Sequence, residues 1–301
     1  MRVTVTGATG LIGRRLVGAL RDRGDEVTVL SRAPDRAAGA LGVEAIGWDP
    51  AAEPAPAAAL AGRGAVVHLA GEPIDQRWTP EAKRRIRASR EEGTARLVAG
   101  LRAADPRPPA LVCASAVGYY GPRGGERLDE DASAGTGFLA DVCRAWERAA
   151  VAAGALDMRV ACLRTGVLLD RDGGALARML PPFRLGLGGP IAGGGQYVSW
   201  IAPQDLVALY LAAVDGPAWQ GAVNATAPEP VTNRELTRAL GRCLRRPALL
   251  PVPAVALRAL YGEMSMVVTT GQRAVPARAA GLGFAFRHPQ VAGALQAALA
   301  S

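Results

Sequence analysis

Three glycines recur at three-residue intervals near the start of the chain, within VTVTGATGLIGRRL at residues 3–16. Gly7, Gly10 and Gly13 follow a β-branched run and precede apolar residues at helical spacing. A strand–turn–helix of this kind presents the unpaired N–H groups of a helix N-terminus to a pyrophosphate, and glycines let the ligand approach the backbone closely. The stretch therefore predicts a dinucleotide-binding loop, with a glycine-rich turn made only for packing as the alternative.

The residues that end the second predicted strand indicate which dinucleotide binds. Sites for NAD usually carry an acidic residue there, which accepts a hydrogen bond from the ribose 2′-hydroxyl. This chain has Leu30, Ser31 and Arg32, and the nearest acid, Asp35, follows Pro34 in a predicted loop. A guanidinium beside a hydroxyl suits a 2′-phosphate. The sequence therefore favours NADP(H) over NAD(H).

Two adjacent tyrosines are candidates for proton transfer. Tyr119 and Tyr120 follow the fifth predicted strand, at the sheet edge where a substrate should lie. An unassisted phenol has a pKa near ~10, so a donor here needs a nearby cation such as Arg77 or Arg164. Structural packing of both rings is the alternative.

The elements that position these residues alternate between strand and helix. The predicted strands are RVTVTG, EVTVLS, EAIGWD, AVVHLAG, ALVCASAVG and MRVACLRTG, and helical spacing runs through LIGRRLVGALRDRG, TPEAKRRIRASREEGTARLVAGLRAA and GFLADVCRAWERAAVAAG. Strands separated by helices imply an α/β fold of Rossmann type, with a doubly wound parallel sheet. We predict that residues 1–169 form this domain.

After residue 169 the pattern loosens into glycine- and proline-rich segments with shorter helices. We predict a smaller mixed lobe over residues 170–301, on the substrate side of the sheet, with some later segments returning to the sheet. Within this lobe, Thr232 and Glu235 have the spacing of a capping box at a helix start. Asp205 is expected to cap an earlier helix.

Composition excludes several other classes of protein. No apolar run reaches the ~18 residues of a membrane helix, and the N-terminus begins directly as a strand, so we expect a cytoplasmic protein. The 4 cysteines and 2 histidines are scattered without metal-ligand or disulfide spacing, so no metal site is predicted. The net charge of +8 is spread along the chain. Its densest cluster, KRRIRASR, fits a solvated helix face better than a nucleic-acid track.

The spacing T-G-x-x-G-x-x-G, followed by HLAG at the fourth strand, resembles the extended short-chain dehydrogenase/reductases of the epimerase/dehydratase type. More closely, the chain resembles an atypical branch called epimerase family protein, which in vertebrates is short-chain dehydrogenase/reductase family 39U. The matching stretches are HLAGEPI, RWTPEAKRRIRASREEGT, SAVGYYG, FLADVCRAWE and GGPIAGGGQYVSWI. The tail at about 248–295 resembles that branch's C-terminal domain of unknown function. The resemblance implies a Rossmann sheet with a C-terminal substrate-binding part.

Typical members of the wider family react through a serine and a Tyr-x-x-x-Lys pair, in which the tyrosine is the general acid or base and the lysine lowers its pKa and holds the ribose. No tyrosine of this chain has a lysine four residues later, because Lys83 is the only lysine. The resemblance places Leu139 and Cys143 where that pair would stand, and Cys143 fits a buried apolar residue better than a nucleophile. The serine position falls on Ala116, with Ser115 one residue earlier. The standard acid–base residues are therefore absent, as in the atypical branch.

The ends of the third and fourth strands add further candidates. The resemblance implies that Glu72 and Arg77 contact NADPH, with a plain ion pair between them as the alternative. Trp48 and Asp49 are predicted to border the adenine, with ordinary packing as the alternative. The predicted cofactor-binding residues are Gly7, Thr9, Gly10, Leu11, Ile12, Gly13, Ser31, Arg32, Trp48, Asp49, Leu69, Ala70, Gly71, Glu72, Arg77 and Val167, and the catalytic candidates are Ser115, Tyr119 and Tyr120.

Two functions from different classes remain open. The first is an NADP(H)-dependent oxidoreductase or epimerase that acts on an unidentified small-molecule substrate with a nonstandard proton donor. The second is an NADPH-binding sensor or partner-binding protein without turnover, because an intact phosphate loop predicts binding only. The two tyrosines, Ser115 and a full C-terminal lobe favour the enzyme. Neither nucleic acid nor a membrane is expected as a partner, and the sequence predicts no oligomeric state.

Overall fold

Strands and helices alternate along the first half of the chain, in a computed structural model that describes residues 1–300. The strands are β1 (Arg2–Thr6), β2 (Glu26–Ser31), β3 (Glu44–Gly47), β4 (Ala65–His68), β5 (Ala110–Ala116), β6 (Arg127–Leu128), β7 (Arg159–Thr165), β8 (Val167–Leu168), β9 (Tyr197–Val198), β10 (Trp200–Ile201), β11 (Gly221–Ala225), β12 (Val231–Thr232) and β13 (Arg273–Ala274). The helices are α1 (Leu11–Asp22), α2 (Pro34–Leu41), α3 (Pro80–Ala103), α4 (Phe138–Val151), α5 (Gly174–Arg184), α6 (Pro203–Asp215), α7 (Asn233–Leu244), α8 (Ala254–Tyr261), α9 (Met266–Thr269), α10 (Ala277–Gly281) and α11 (Val291–Ala300). Every strand predicted in the first half of the chain is present.

The central sheet has seven strands in the order β11-β7-β5-β4-β1-β2-β3, and all neighbouring strands are parallel. The chain winds outward from β1 in both directions, so the strand order reverses between β1 and β4. In a sheet of this kind a ligand crevice lies at that reversal, beyond the carboxyl ends of the strands. The predicted α/β fold of Rossmann type is confirmed.

Helices pack against both faces of the sheet because successive strand side chains point to opposite sides. Val3 and Val5 of β1 lie in one apolar core with α1 and α6. Leu111 and Cys113 of β5 lie in a second core with α3 and α4. Burial on both faces explains why β4 and β5 read as nearly continuous apolar runs.

The chain after residue 169 divides between the sheet and a smaller lobe. The helix α6 packs against α1, and β11 pairs with β7 at the edge of the sheet. The helices α5, α7 and α11 pack around Trp200, Leu236 and Leu295 to form the core of the lobe. Residues 203–225 thus belong to the sheet layer, and the domain boundary at residue 169 stays a prediction.

Two predictions about helix starts have different outcomes. The capping box is confirmed, because Thr232 Oγ1 accepts from the N–H of Glu235 at 3.2 Å and the Glu235 carboxylate accepts from the N–H of Thr232 at 2.7 Å. The prediction that Asp205 caps a helix is wrong. Its buried carboxylate accepts from the N–H groups of Arg287 and His288, at 2.7 and 2.9 Å. The donors come from the C-terminal tail, which local sequence could not indicate.

Two wider features of residues 1–300 bear on the class of protein. No helix in this range combines the length and the apolar character that a membrane span requires. In the same range no group of three or more His, Cys, Asp or Glu side chains is placed to hold a metal ion. All four cysteines are free thiols.

Candidate cofactor site

Backbone contacts explain why two of the three loop glycines admit no side chain. Gly7 has a φ of +67°, and a Cβ there would lie 2.6 Å from the carbonyl carbon of Leu69. A Cβ on Gly13 would lie 2.4 Å from the carbonyl oxygen of Gly7 and 2.6 Å from Cα of Ala8. These distances are shorter than real Cβ contacts. The absence of side chains therefore lets the end of β1, the start of α1 and the end of β4 meet.

Gly10 differs from the other two glycines because a Cβ there would make one tight contact rather than a clash. It is the N-cap of α1, with φ −74° and ψ 174°, an extended conformation that any residue adopts. A Cβ on Gly10 would contact only the carbonyl oxygen of Gly7, at 3.2 Å. No side chain caps α1, so the first N–H groups of the helix are left for an anion.

The groove beside the start of α1 contains several of the predicted cofactor-binding residues. It has a volume of about 530 Å³ and is lined by Thr9, Leu11, Arg14, Arg15, Asp172, Gly173 and Gly174. Arg15 donates to the buried Asp170 carboxylate at 2.7 Å, which holds the segment after β8 over the helix start. Val167 is the first residue of β8, three residues before Asp170. Ile12 instead packs against the apolar core beneath α1. The structure therefore brings Thr9 and Leu11 to the groove and turns Ile12 away from it.

The end of β2 presents a guanidinium without a partner. Arg32 is exposed, and within residues 1–300 its side chain makes no hydrogen bond or ion pair. The Ser31 hydroxyl accepts from the N–H of Ala33 at 3.2 Å. Asp35 lies in the first turn of α2 rather than in the predicted loop, because Pro34 begins that helix. The end of β2 therefore carries a hydroxyl and a guanidinium, from Ser31 and Arg32, and no acidic residue.

The two candidates at the end of β3 are placed differently. Trp48 is only 3% exposed, lies in the core beneath α3, and donates from its indole N–H to the carbonyl of Glu53 at 3.0 Å. Its ring has little exposed surface, which favours the packing alternative, and the contact of Trp48 with an adenine stays a prediction. Asp49 is partly exposed and accepts from the N–H of Ala51 at 2.9 Å. Its contact with a cofactor stays a prediction.

The residues after β4 lie directly against the glycine loop. The N–H of Leu69 donates to the Thr6 carbonyl at 3.2 Å, and the N–H of Ala70 donates to Thr6 Oγ1 at 3.3 Å. Leu69 and Ala70 are also the backbone neighbours that exclude a side chain at Gly7. Gly71 follows and is exposed. These three residues therefore lie at the reversal of strand order, and their contacts with a cofactor stay predictions.

The alternative of an ion pair between Glu72 and Arg77 is wrong. The Glu72 carboxylate accepts from Gln76 at 3.1 Å and from Arg85 at 3.4 Å, because α3 brings Arg85 to the loop. Arg77 is exposed, adjoins Gly262 of the C-terminal lobe, and makes no side-chain hydrogen bond or ion pair in the described chain. The contacts of Glu72 and Arg77 with NADPH stay predictions.

His68 is fully buried beneath the loop and ties three elements together. Its Nδ1 lies 2.7 Å from Thr6 Oγ1 in β1, and its Nε2 lies 3.1 Å from Thr94 Oγ1 in α3. Burial and the nearby positive charge of Arg90 lower the pKa of His68 to about 4. The ring is therefore neutral at physiological pH and acts as a hydrogen-bonding strut behind the site.

A buried ion pair lies at the carboxyl ends of β5 and β7, where the family's acid–base residues would be. Arg164 is 4% exposed, and its Nε and Nη2 donate to the two carboxylate oxygens of Glu147, both at 2.8 Å. The Ser115 hydroxyl donates to the same carboxylate at 2.6 Å. The hydroxyl proton of Ser115 is therefore used in the hydrogen bond to Glu147. The catalytic role of Ser115 stays a prediction.

The two tyrosines have different environments around this ion pair. Tyr120 is fully buried, and its hydroxyl accepts from Arg164 at 2.9 Å and lies 2.7 Å from Oδ1 of Asn224. Burial raises the pKa of Tyr120 to about 12. A buried hydroxyl with these partners favours the packing alternative for Tyr120, and its role as a proton donor stays a prediction.

Tyr119 remains a candidate proton donor. It is partly exposed, and the guanidinium carbon of Arg164 lies 3.5 Å from the centre of its ring. Its hydroxyl makes no hydrogen bond to another residue in the range 1–300. Of the two cations that the sequence offered, the structure brings Arg164 to the tyrosines and leaves Arg77 on the loop after β4.

The positions of the missing Tyr-x-x-x-Lys pair are apolar. A Cβ on Gly118 would lie 3.4 Å from Cβ of Leu139 and 3.8 Å from Sγ of Cys143, so both residues pack against the turn after β5. Cys143 is 4% exposed, and burial raises the pKa of its thiol to about 12. Such a thiol is not ionised at neutral pH, which agrees with the packing role predicted for it.

Sequence reasoning missed several polar residues behind the candidate site. The side-chain oxygen of Asn224 in β11 accepts a hydrogen bond from the Tyr120 hydroxyl. The backbone N–H of Asn224 donates to the buried Glu130 carboxylate at 2.9 Å. Arg90 in α3 reaches the end of β4. These residues come from segments far apart in the chain and have no motif spacing, so only the assembled fold could identify them.

A glycine loop at the reversal point of a doubly wound parallel sheet, with an uncapped helix start beside it, defines a Rossmann-type protein built to hold a dinucleotide. The chain belongs to the NAD dependent epimerase/dehydratase family, whose sequence profile matches residues 3–224. Residues 252–298 match a domain of unknown function, DUF1731. The resemblance to the atypical branch with that C-terminal domain is thereby confirmed.

Relatives extend over the whole chain. The chain is 45% identical to "Epimerase family protein SDR39U1 homolog, chloroplastic" from Arabidopsis thaliana, over 99% of this chain and 86% of that protein. It is 38% identical to "Epimerase family protein SDR39U1" from Bos taurus, over 100% of both chains. The crystal structure of human epimerase family protein SDR39U1 (isoform2) with NADPH superposes with a TM-score of 0.89, at 34% identity and over 100% of both chains.

Proposed function

We propose that this protein binds NADP(H), in preference to NAD(H), at the glycine loop and the end of β2. The observation that carries the proposal is the unpartnered guanidinium of Arg32 beside the Ser31 hydroxyl, with no acid at the strand end. A carboxylate there would accept from a ribose hydroxyl, whereas a guanidinium attracts a 2′-phosphate. The steric demands of Gly7 and Gly13 and the uncapped start of α1 fit the pyrophosphate.

The comparison with the human relative supports the same cofactor, because that protein was crystallised with NADPH and the two chains superpose over their full length. The substrate is proposed to be a small molecule, and the location cytoplasmic, although the Arabidopsis relative is named chloroplastic. Neither nucleic acid nor a membrane surface is proposed as a partner.

Replacing Arg32 by aspartate is expected to reverse the cofactor preference. The exchange removes the partner of the 2′-phosphate and supplies an acceptor for the 2′-hydroxyl of NADH. We expect the NADPH affinity to fall about thirtyfold or more, while the NADH affinity rises. Fluorescence titration with both reduced cofactors measures the two dissociation constants.

The matched control is Arg148→Asp, on the exposed surface of α4, which changes the net charge by the same amount. This variant should leave both dissociation constants within about twofold, because screening weakens a charge this far from the strand end. Equal affinity of the native protein for NADPH and NADH would contradict the proposed preference.

We further propose that the protein is an oxidoreductase in which Tyr119 delivers the proton. Bound NADPH supplies the hydride to a carbonyl carbon. The Tyr119 hydroxyl has no other partner within residues 1–300, and the stacked Arg164 guanidinium can stabilise a phenolate after the proton leaves. The buried Glu147 neutralises that guanidinium in part and fixes its orientation.

Removing the Tyr119 hydroxyl tests this assignment. Turnover is assayed as NADPH oxidation against panels of carbonyl compounds and nucleotide sugars. Tyr119→Phe should lower turnover about a hundredfold or more, as expected for loss of a positioned general acid, with unchanged NADPH affinity. Tyr120→Phe should lower stability by about 1 to 2 kcal/mol through its lost hydrogen bonds and leave the chemistry intact. Turnover that is unaffected by Tyr119→Phe would contradict the tyrosine mechanism.

A second candidate function is an NADPH-binding sensor without turnover. The observation that favours it is the apolar packing of Leu139 and Cys143 at the positions of the family's acid–base pair. Tight NADPH binding without oxidation by any compound of the two panels would support the sensor over the enzyme.

A further inference from the structure

A partly buried cation lies beside the place where the family's lysine is missing. Arg90 projects from α3 to the carboxyl end of β4, where its guanidinium would lie 3.2 to 3.4 Å from a Cβ on Gly71. The guanidinium carbon stands 5.0 Å from the centre of the Trp146 ring in α4. The Arg90 side chain thus links α3 to α4 beside the carboxyl end of β4.

Arg90 has no carboxylate partner in the described chain. Its Nη1 donates to the carbonyls of Glu72 and Ile86, at 2.9 and 3.2 Å, and its Nε and Nη2 make no hydrogen bond within residues 1–300. Burial lowers the pKa of Arg90 from its ordinary value, although an arginine keeps its proton in proteins. A desolvated cation without a counter-charge is costly unless a ligand compensates for it.

The neighbours of Arg90 relate it to the missing pair. Arg90 stacks on Trp146, which lies three residues after Cys143 on α4, and the resemblance places Cys143 at the helix position of the family's lysine. Cys143 in turn packs against Gly118, in the turn after β5. A cation on α3 thus lies near the turn after β5, where the resemblance would place a lysine on α4.

We propose that Arg90 replaces the family's lysine as the cation that binds the nicotinamide-side ribose of NADPH. A guanidinium offers five N–H donors in a fixed plane, and the three on Nε and Nη2, which are free here, suit the vicinal hydroxyls of a ribose. The Glu72 carboxylate acts on Arg90 through its charge, but it accepts hydrogen bonds from Gln76 and Arg85 and makes neither a hydrogen bond nor an ion pair with Arg90. The inference rests on the proposed binding of NADP(H) and assigns one residue to one half of that ligand.

The affinities for two ligands distinguish contacts with the nicotinamide half of the cofactor from contacts with the adenosine half. NADPH carries the nicotinamide-side ribose, whereas adenosine 2′,5′-bisphosphate carries only the adenosine half. We expect Arg90→Met to weaken NADPH binding about tenfold, the loss of one or two charge-assisted hydrogen bonds, and to change the affinity for the bisphosphate by less than about twofold. Isothermal titration calorimetry measures both dissociation constants.

The matched control is Arg87→Met, three residues earlier on α3, where the side chain is exposed and pairs with Glu91. This variant should change neither affinity. A second variant, Arg90→Met with Cys143→Lys, returns a cation to the family's position and should recover at least half of the lost NADPH affinity on a logarithmic scale.

The outcomes are distinguishable from a failure of the proposed function. If the native protein binds neither ligand, the proposal of NADP(H) binding fails. If the native protein binds NADPH and Arg90→Met binds it equally well, only the role of Arg90 fails. Equal losses for NADPH and the bisphosphate, with no recovery by Cys143→Lys, would assign Arg90 to the support of the fold and overturn the inference.

Discussion

Arg164→Met is expected to destabilise the protein by about 3 to 5 kcal/mol, because it leaves a buried carboxylate without its cation. Arg164 is 4% exposed, and it donates to both oxygens of Glu147 and to the Tyr120 hydroxyl. Methionine fills a similar volume but offers none of these donors. Urea unfolding, followed by circular dichroism at neutral pH, measures the loss.

The double variant Arg164→Met with Glu147→Met distinguishes the loss of the whole ion pair from the cost of leaving one unpaired charge. Removing both charges avoids the isolated carboxylate, so we expect it to recover at least half of the stability that the single variant loses. Arg87→Met breaks an exposed i,i+4 pair with Glu91 and should cost less than about 0.5 kcal/mol. A loss below about 1 kcal/mol in Arg164→Met would contradict a buried pair that supports the site.

The ion pair also links the residues at the carboxyl ends of β5 and β7. Glu147 receives the Ser115 hydroxyl, and Arg164 holds Tyr120 from one side and stacks on Tyr119 from the other. These contacts fix the carboxyl ends of β5 and β7 without any ligand. One charged pair therefore orders the edge of the sheet on which a substrate would react.

The fold was predictable because its signals are local. Each strand of the first half is an apolar or β-branched run bounded by turn residues, and the glycine loop marks the junction of β1 and α1. The capping box of Thr232 and Glu235 lies within a single helical turn. The return of α6 and β11 to the sheet was less accessible, because it depends on pairing between β11 and β7 across the chain.

The surroundings of several predicted residues could not be read from the sequence, because they depend on contacts between distant segments. Trp48 follows a strand as a cofactor neighbour would, yet packing beneath α3 buries it. Tyr120 adjoins Tyr119 in sequence, yet its hydroxyl reaches Asn224 in β11. Asp205 has the position of a helix-start acid, yet the tail supplies its hydrogen-bond donors. The periodicity of apolar residues predicts which face of a helix or strand is buried, but it does not predict which distant residues contact that face.

Gly10→Ala is expected to weaken NADPH binding about thirtyfold or more while lowering stability by less than about 1 kcal/mol. The backbone of Gly10 is extended, and a Cβ would contact the protein only at the Gly7 carbonyl oxygen, 3.2 Å away. The fold therefore accommodates alanine at this position with a shift of a few tenths of an ångström at the Gly7 carbonyl. A pyrophosphate at the start of α1 does require glycine there, because its oxygens approach the same backbone. Fluorescence titration and urea unfolding measure the two effects.

Two other substitutions in the same segment complete the argument. Gly13→Ala should destabilise the protein by about 2 kcal/mol or more, because its Cβ would lie 2.4 Å from the Gly7 carbonyl oxygen, where backbone must move. Gly18→Ala, later in α1, meets nothing within 4 Å and should gain up to about 1 kcal/mol from helix propensity, without affecting NADPH. A turn made only for packing predicts that Gly10→Ala leaves NADPH affinity unchanged. Full retention of binding in that variant would therefore place the pyrophosphate away from the start of α1.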